Sequence, residues 1–148
     1  MRDRDVSEMQ PPEYRDMLLA HAHIRLVWEL FDTLTLAFVG IGTLSDSIFV
    51  EQGVFSAAEL EELGRSDVVG EICGRFFDQH GRECATEYRD RVLSIDLDVL
   101  RRRAHVVGVT NGPQRAAAVR AALRGGLITS LIIDDVGADA VLTVPDSA

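Results

Sequence analysis

The sequence from Val106 to Gly126 is VVGVTNGPQRAAAVRAALRGG, and it changes character twice within a short distance. A run of mostly β-branched residues comes first, Asn111-Gly112-Pro113 interrupts it, and an Ala-rich segment follows. An apolar strand that leads through a glycine turn into a helix is typical of α/β domains with a parallel sheet. We therefore predict a strand over 105–110 and a helix over 113–124.

The turn in this stretch is a candidate anion site. Gly112 can adopt the backbone angles that a tight turn demands, and Pro113 suits the first helical position because its missing N–H would be unpaired there. The next N–H groups and the positive end of the helix dipole favour an anion. A cation in the first turn, Arg115, is unfavourable for the dipole and needs another explanation. Either a phosphate or a salt bridge to one of the 24 acidic residues provides one.

A second glycine-containing loop follows another predicted strand. Leu34–Val39 is a short apolar run, and Gly40-Ile41-Gly42-Thr43 comes directly after it. Open α/β sheets bind ligands at the carboxyl ends of their parallel strands. Gly42 would let a ligand approach the backbone, and Thr43 would add a hydroxyl group, although a structural turn explains the same residues equally well.

The remaining pattern predicts alternating helices and strands. The expected elements are a helix over Glu13–Phe31, a helix capped by Ser56 and Glu59 and ended by Gly64, a short helix from Asp96 or Asp98 through Arg103, a strand over Ser130–Ile133 and a helix over Val136–Leu142. These elements are too few for a complete doubly wound domain. We expect a flexible lead-in over 1–12 and an incomplete α/β domain over 13–148.

Between these elements, the segment 67–97 alternates apolar and polar residues and predicts an antiparallel hairpin or meander that turns at Asp78–Gly81. Strand alternation would place Glu71, Cys73 and Arg75 on one face. Glu71 is then either a surface residue or an acceptor for ligand hydroxyl groups. Cys73 and Cys84 would lie near one another as reduced, half-buried apolar residues.

Charge and composition exclude several classes of function. The net charge is -9, which argues against a grip on nucleic-acid phosphates, and Arg101-Arg102-Arg103 is explained as cations that close a short helix. The sequence shows no apolar run long enough to cross a bilayer and no secretory signal, so we expect a cytoplasmic protein without a membrane partner. His21 and His23, two apart on a helix, should face different directions, and we expect no metal site and no cofactor.

Four segments, taken in order, resemble a known family from about Glu13 to Leu142. They are LAFVGIGTL, GRSDVVGEICGRFFDQHGREC, RVLSIDLDVLRR and HVVGVTNGPQRAAAVRAALRGGLITSLIIDD. Together they resemble the effector-binding domain of SorC/DeoR-type bacterial sugar-responsive transcriptional regulators. The resemblance implies a three-layer, Rossmann-like parallel sheet with a small antiparallel hairpin. That fold is related to ribose-5-phosphate isomerase, glucosamine-6-phosphate deaminase and CoA-transferase-like folds.

The resemblance also implies a function. A sugar or sugar phosphate would bind at the strand-end loops without being turned over, in a homo-oligomer whose full-length relatives bind DNA through a domain that this chain lacks. By position, the ligand-binding residues would be Gly42, Thr43, Glu71, Asn111, Gly112 and Arg115. Asn111 stands where the family usually has glycine, and Arg115 stands where it usually has lysine.

Two other functions compete with this one. The first is a sugar-phosphate isomerase or deaminase, in which Glu71 or Asp78 would act as the proton-transfer base. The second is an oligomerisation remnant without a ligand, in which the apolar face of the helix over Glu13–Phe31, including Trp28, would be covered by a partner.

Overall fold

The computed structural model describes residues 12–102 and 105–143. The lead-in predicted over 1–12, apart from its last residue, lies outside the described residues, and so does Arg103, the end predicted for the short helix. Pro12 already begins the first helix.

The five described strands form two separate sheets. Their bounds are β1 Ala37–Gly40, β2 Gly70–Ile72, β3 Arg75–Phe77, β4 Val106–Val109 and β5 Ser130–Ile132. The parallel sheet has the order β1-β4-β5, and β2 pairs with β3 antiparallel. The mixed α/β class, the parallel sheet and the small antiparallel hairpin that the sequence predicts are confirmed.

Seven α-helices connect and cover these strands in the described part of the chain. They are α1 Pro12–Ala20, α2 Ala22–Glu29, α3 Ile48–Glu51, α4 Ala57–Arg65, α5 Leu97–Arg101, α6 Ala116–Arg124 and α7 Asp135–Thr143. Short 3₁₀ turns occur over Leu30–Thr33, Leu44–Asp46, Glu87–Arg91 and Pro113–Arg115. Within these residues, no helix combines the length and the apolar character that crossing a bilayer requires.

Two predicted helix boundaries are wrong. The single helix expected over Glu13–Phe31 is divided at His21, whose extended backbone separates α1 from α2. This break brings the rings of His21 and His23 to a centroid distance of 5.6 Å, so the two do not diverge as on a continuous helix. Gly64 does not end α4 either, because the helix continues to Arg65. Ser66 caps this end, and its hydroxyl donates to the Glu62 carbonyl at 2.9 Å.

The hairpin turns earlier than the sequence predicts. Cys73 and Gly74 form a two-residue connection between β2 and β3, with φ of 54° and 74°. Positive φ at both central residues is the signature of a hairpin turn that matches the twist of its strands. The expected turn at Asp78–Gly81 is also present, closed by the Gly81 N–H donating to the Asp78 carbonyl at 2.9 Å.

The register of this hairpin overturns one prediction about side-chain direction. Glu71 is paired with Phe76, whereas Ile72 is paired with Arg75, so Glu71 and Arg75 lie on opposite faces. The two-residue turn causes the difference, because it interrupts the strand alternation that the sequence pattern assumes. The Arg75 side chain is 2% exposed and forms ion pairs with Glu83 at 2.7 Å and with Asp96 at 2.8 Å.

Small residues let α6 pack closely in the main core. Ala118, Val119 and Ala122 are completely buried there, in the same cluster as Val106 and Phe77. A second cluster, built on Phe55, Phe76, Tyr88, Leu63 and Val92, lies under the hairpin and α4. These two clusters hold β1, β4 and the hairpin in fixed positions.

One face of the parallel sheet is exposed at three apolar residues. The register places Phe38, Val109 and Ile132 on the same face, and they are 64%, 40% and 54% exposed. We call these three residues the open sheet face. Exposed large apolar side chains that share one face indicate a surface suited to contact with another molecule.

Candidate functional site

The two predicted glycine loops meet at the carboxyl end of the parallel sheet. Gly40 of β1 is paired with Val109 of β4, and the Thr110 hydroxyl donates to the Ile41 carbonyl at 2.9 Å. An open cleft of about 790 Å³ lies at this edge. Its size is within the range of small-molecule sites.

The cleft brings together most of the residues that the sequence singles out. Gly42, Glu71, Asn111 and Arg115 line it, and Asp46, Ser47, Phe38 and Phe49 are among the other lining residues. Thr43 does not line the cleft, but its hydroxyl and its N–H donate hydrogen bonds to Asp46, and Asp46 does line it. Gly112 lies in the turn beside Asn111 and does not line the cleft.

Arg115 is held by groups of this chain. Its Nη1 donates to the carbonyl of Asn111 at 2.8 Å and to the Asn111 side-chain oxygen at 2.5 Å. Its Nη2 forms an ion pair with the Asp46 carboxylate. Of the two explanations that the sequence leaves open for this cation, the salt bridge is the one that the structure contains.

Asp46 is a functional candidate that sequence reasoning missed. Its Oδ1 accepts hydrogen bonds from the N–H and from the hydroxyl of Thr43, both at 2.6 Å. Burial raises the pKa of Asp46, but the Thr43 hydrogen bonds and the Arg115 charge together lower it below its usual range. The signal was present as the T-x-x-D spacing of a capping box over Thr43–Asp46.

Glu71 points a buried carboxylate oxygen at the same cleft. Its backbone forms two hydrogen bonds with Gly42, at 2.9 Å and 3.0 Å, which fix the strand beside the Gly42 loop. Burial raises the pKa of Glu71 and the Asp46 charge adds to this effect, while the Ser47 hydroxyl acts in the opposite direction. The sequence left open a surface position and a ligand acceptor; Glu71 is partly buried, and its role as a ligand acceptor stays a prediction.

Among the described residues of the cleft, three buried polar atoms lack both a hydrogen-bond partner and an ion-pair contact: Oε2 of Glu71, Oγ of Ser47 and Nε of Arg115. Oε2 of Glu71 and Oγ of Ser47 have no partner with good hydrogen-bond geometry among the described residues, although the Ser47 hydroxyl lies close enough to the Glu71 carboxylate to lower its pKa, and Ser47 is only 3% exposed. Buried polar atoms in native proteins are nearly always paired. The lack of well-formed partners marks Glu71 and Ser47 as candidate residues for contact with a ligand.

The turn at Gly112 already holds a carboxylate. Gly112 has a φ of 78°, as the sequence predicts for a glycine-dependent turn, and its N–H donates to Oδ1 of Asp134 at 2.8 Å. The same oxygen accepts the N–H of Gly137 at 3.3 Å. Both of the anion contacts predicted around this turn, through Gly112 and through Arg115, are made to acidic side chains of the chain itself.

Other candidate residues lie away from the cleft or have a structural role. Asp78, the alternative catalytic base, accepts the N–H groups of His80 and Arg82 within its own turn and does not line the cleft. Cys73 occupies the hairpin turn, where it lines the cleft and is exposed, so it is not the half-buried residue that was expected. Across the part of the chain that the structure describes, no three His, Cys, Asp or Glu residues come together as a metal site.

A family model and curated relatives match this chain. The model described as "Putative sugar-binding domain" matches residues 8–143. The chain is 29% identical over 123 residues to the "Deoxyribonucleoside regulator" of Bacillus subtilis, and the alignment covers 82% of the chain and 39% of that protein. It is 32% identical over 136 residues to "Transcriptional regulator LsrR" of Enterobacter sp., covering 89% of the chain and 42% of the relative. The chain therefore spans about two fifths of these relatives.

Solved structures of similar proteins have the same fold. A DeoR family transcriptional regulator from Listeria monocytogenes superposes with a TM-score of 0.82 at 34% identity, covering 88% of this chain and 53% of that one. The full-length sorbitol operon regulator SorC from Klebsiella pneumoniae superposes with a TM-score of 0.79 at 27% identity, covering 90% and 43%.

Proposed function

The chain belongs to the family of sugar-binding domains of SorC/DeoR-type transcriptional regulators, and on that premise we propose that its cleft binds a sugar-type effector, a sugar or a sugar phosphate. The observation that carries the proposal is the pair of unpartnered polar atoms in the cleft, Glu71 Oε2 and Ser47 Oγ. A ligand rich in hydroxyl groups would donate to the carboxylate and exchange hydrogen bonds with the serine. Charge-assisted hydrogen bonds of this kind are stronger than neutral ones.

Calorimetric titration with a panel of pentoses, hexoses, their alditols and their phosphates tests this proposal. We expect at least one member to bind, and we expect Glu71→Gln to weaken its binding by about tenfold or more, since a charge-assisted bond contributes about 1.5–3 kcal/mol. Glu62→Gln makes the same change on α4, away from the cleft, and should leave affinity unchanged. A folded chain that binds no member of the panel contradicts the proposal.

We propose sensing in place of catalysis. The matched relatives are named as regulators, and the second candidate base, Asp78, lies outside the cleft. Turnover of ribose 5-phosphate or glucosamine 6-phosphate that disappears in Glu71→Gln would contradict this part of the proposal.

The regulator named in the relatives is longer than this chain, so the rest of its function is also proposed here. The net charge of -9 favours a role in effector sensing and leaves DNA contact to other parts of such a regulator. Regulation of transcription places the protein in the bacterial cytoplasm.

Self-association is a second candidate role, favoured by the open sheet face. Phe38, Val109 and Ile132 present apolar surface that a second copy could cover. Phe38 and Val109 also line the cleft, whereas Ile132 does not, so a second copy on this face would lie beside the ligand.

A further inference from the structure

The carboxylate of Asp46 occupies a position built for an anion. Three donors hold it: the N–H and the hydroxyl of Thr43, and the guanidinium of Arg115. A backbone N–H, a hydroxyl and an arginine are also the groups with which proteins commonly hold a phosphate. In this chain the carboxylate of Asp46 itself binds all three of these donor groups.

The other predicted anion contact is occupied in the same way. The Gly112 N–H donates to Asp134, so a phosphate at either position would first have to displace an acidic side chain. Displacing Asp46 would also leave its charge beside the phosphate, and Glu71 adds a second carboxylate in the same cleft. Like charges brought together in a partly buried site repel each other, so this arrangement disfavours a dianionic ligand.

Of the atoms left without partners, Glu71 Oε2 and Ser47 Oγ suit a neutral ligand. The third, Nε of Arg115, belongs to a guanidinium whose charge Asp46 already neutralises. Glu71 Oε2 accepts hydrogen bonds, and the Ser47 hydroxyl both donates and accepts. The hydroxyl groups of a sugar or an alditol supply matching donors and acceptors without adding charge. Phe38 and Phe49 provide apolar wall surface against which the carbon skeleton of such a ligand can pack.

We propose that the cleft selects unphosphorylated sugars or alditols and discriminates against their phosphates, with Asp46 as the residue that determines this specificity. The inference rests on the proposed sugar-binding function and narrows its ligand class. Asp46 acts by occupying Arg115 and Thr43, and no contact between Asp46 and the ligand is required.

Titration with matched pairs tests the inference: ribose with ribose 5-phosphate, fructose with fructose 6-phosphate, and glucitol with glucitol 6-phosphate. For the wild-type chain we expect the neutral member of at least one pair to bind at least tenfold tighter than its phosphate. Asp46→Asn removes the charge but keeps an oxygen for Thr43, and it should shift that ratio at least tenfold toward the phosphate. Asp98→Asn, an exposed position on α5, is the matched control and should not shift it.

Arg115→Gln provides a second measurement that does not depend on how Asp46→Asn folds. Because Asp46 already occupies Arg115, Arg115→Gln should weaken the binding of a phosphate by less than about threefold. One result would overturn the inference but leave the sugar-binding function intact. In that result a sugar phosphate binds the wild-type chain more tightly than its neutral counterpart does, and its affinity falls more than tenfold in Arg115→Gln. The absence of binding by both members of every pair, in wild type and both variants, overturns the sugar-binding function and the inference with it.

Discussion

If the cleft binds its ligand through Glu71 as proposed, burial of this carboxylate predicts that binding depends on pH. Burial raises the pKa of Glu71 above its usual range, whereas Asp46 has a lowered pKa and stays ionised. A neutral ligand that donates to ionised Glu71 should bind more weakly as pH falls from neutral through this raised pKa. Titration at several pH values between neutral and mildly acidic would show the decrease, and Glu71→Gln should remove it.

The raised pKa of Glu71 affects folding stability in the opposite direction: acidification that weakens ligand binding should raise the free energy of unfolding. Because the pKa of Glu71 is higher in the folded chain than in the unfolded chain, the ionised carboxylate reduces the free energy of unfolding. That cost disappears as pH falls through the folded-state pKa toward the unfolded-state value. Acidification in that range should therefore weaken ligand binding and remove the destabilisation that Glu71 causes. A pH profile of binding that is identical in Glu71→Gln would show that another group is responsible.

Arg75 shows how a buried charge can be essential to folding. It forms ion pairs with Glu83 and Asp96 and donates to the Ser94 carbonyl at 2.9 Å. Arg75→Met would remove this partner from the nearly buried Glu83, which keeps an ion pair with Arg89 at 3.1 Å, so we expect a loss of at most about 3–5 kcal/mol, the typical cost of leaving a buried charge unpaired. Urea denaturation measures the loss.

Arg65→Met is the control for Arg75→Met. It removes an exposed i,i+4 pair with Glu61 on α4, so the free energy of unfolding should change by less than about 1 kcal/mol. Equal losses in the two variants would mean that the burial of Arg75 is not what makes it important.

At the scale of elements, the contact between the end of α6 and the Asp78–Gly81 turn depends on glycine. A Cβ on Gly125 would lie 2.6 Å from the Gly81 Cα and 2.6 Å from the His80 carbonyl oxygen. The φ of Gly125 is -77°, so Gly125→Ala tests crowding without backbone strain. We expect a loss of about 1–3 kcal/mol in the free energy of unfolding, the usual cost of overpacking, measured by urea denaturation.

Gly64→Ala is the contrasting change on α4. No heavy atom lies within 4 Å of the added Cβ, and alanine is the better helix former. The free energy of unfolding of this variant should rise by about 0.5–1 kcal/mol. If Gly64→Ala lowers the free energy of unfolding as much as Gly125→Ala does, close packing at Gly125 is not the cause of the destabilisation.

Element boundaries also show how far local patterns reach. The apolar positions over Glu13–Phe31 continue through His21, so their periodicity could not indicate the break between α1 and α2. The turn at Cys73-Gly74 was missed for a similar reason, because cysteine at positive φ is not a common turn signal. Where turn chemistry was explicit, as at Gly112, the prediction is confirmed.

At the scale of the whole molecule, the open sheet face predicts self-association. Burying Phe38, Val109 and Ile132 against a second copy would remove exposed apolar surface from water. We expect the wild-type chain to sediment as an oligomer in analytical ultracentrifugation. Ile132→Arg, which places a charge on this face outside the cleft, should shift the chain toward monomer while its circular dichroism stays unchanged.

Leu123→Arg is the control for this surface, because Leu123 is an exposed apolar residue on α6 and is 42% exposed. It should leave the sedimentation coefficient unchanged. A wild-type chain that sediments as a monomer and does not bind an apolar dye would contradict the proposed role of the open sheet face.

Local sequence was sufficient for the order of elements, the strand-end loops and the glycine turn into α6, because periodicity and turn chemistry act over a few neighbouring residues. It was also sufficient to select Gly42, Glu71, Asn111 and Arg115 as residues that the structure brings to one cleft. The pairing of Arg115 with Asp46 depended on the tertiary structure. These residues are far apart in the chain and meet only because β1 and β4 are adjacent and in register. That meeting places an internal carboxylate where the sequence suggested a phosphate.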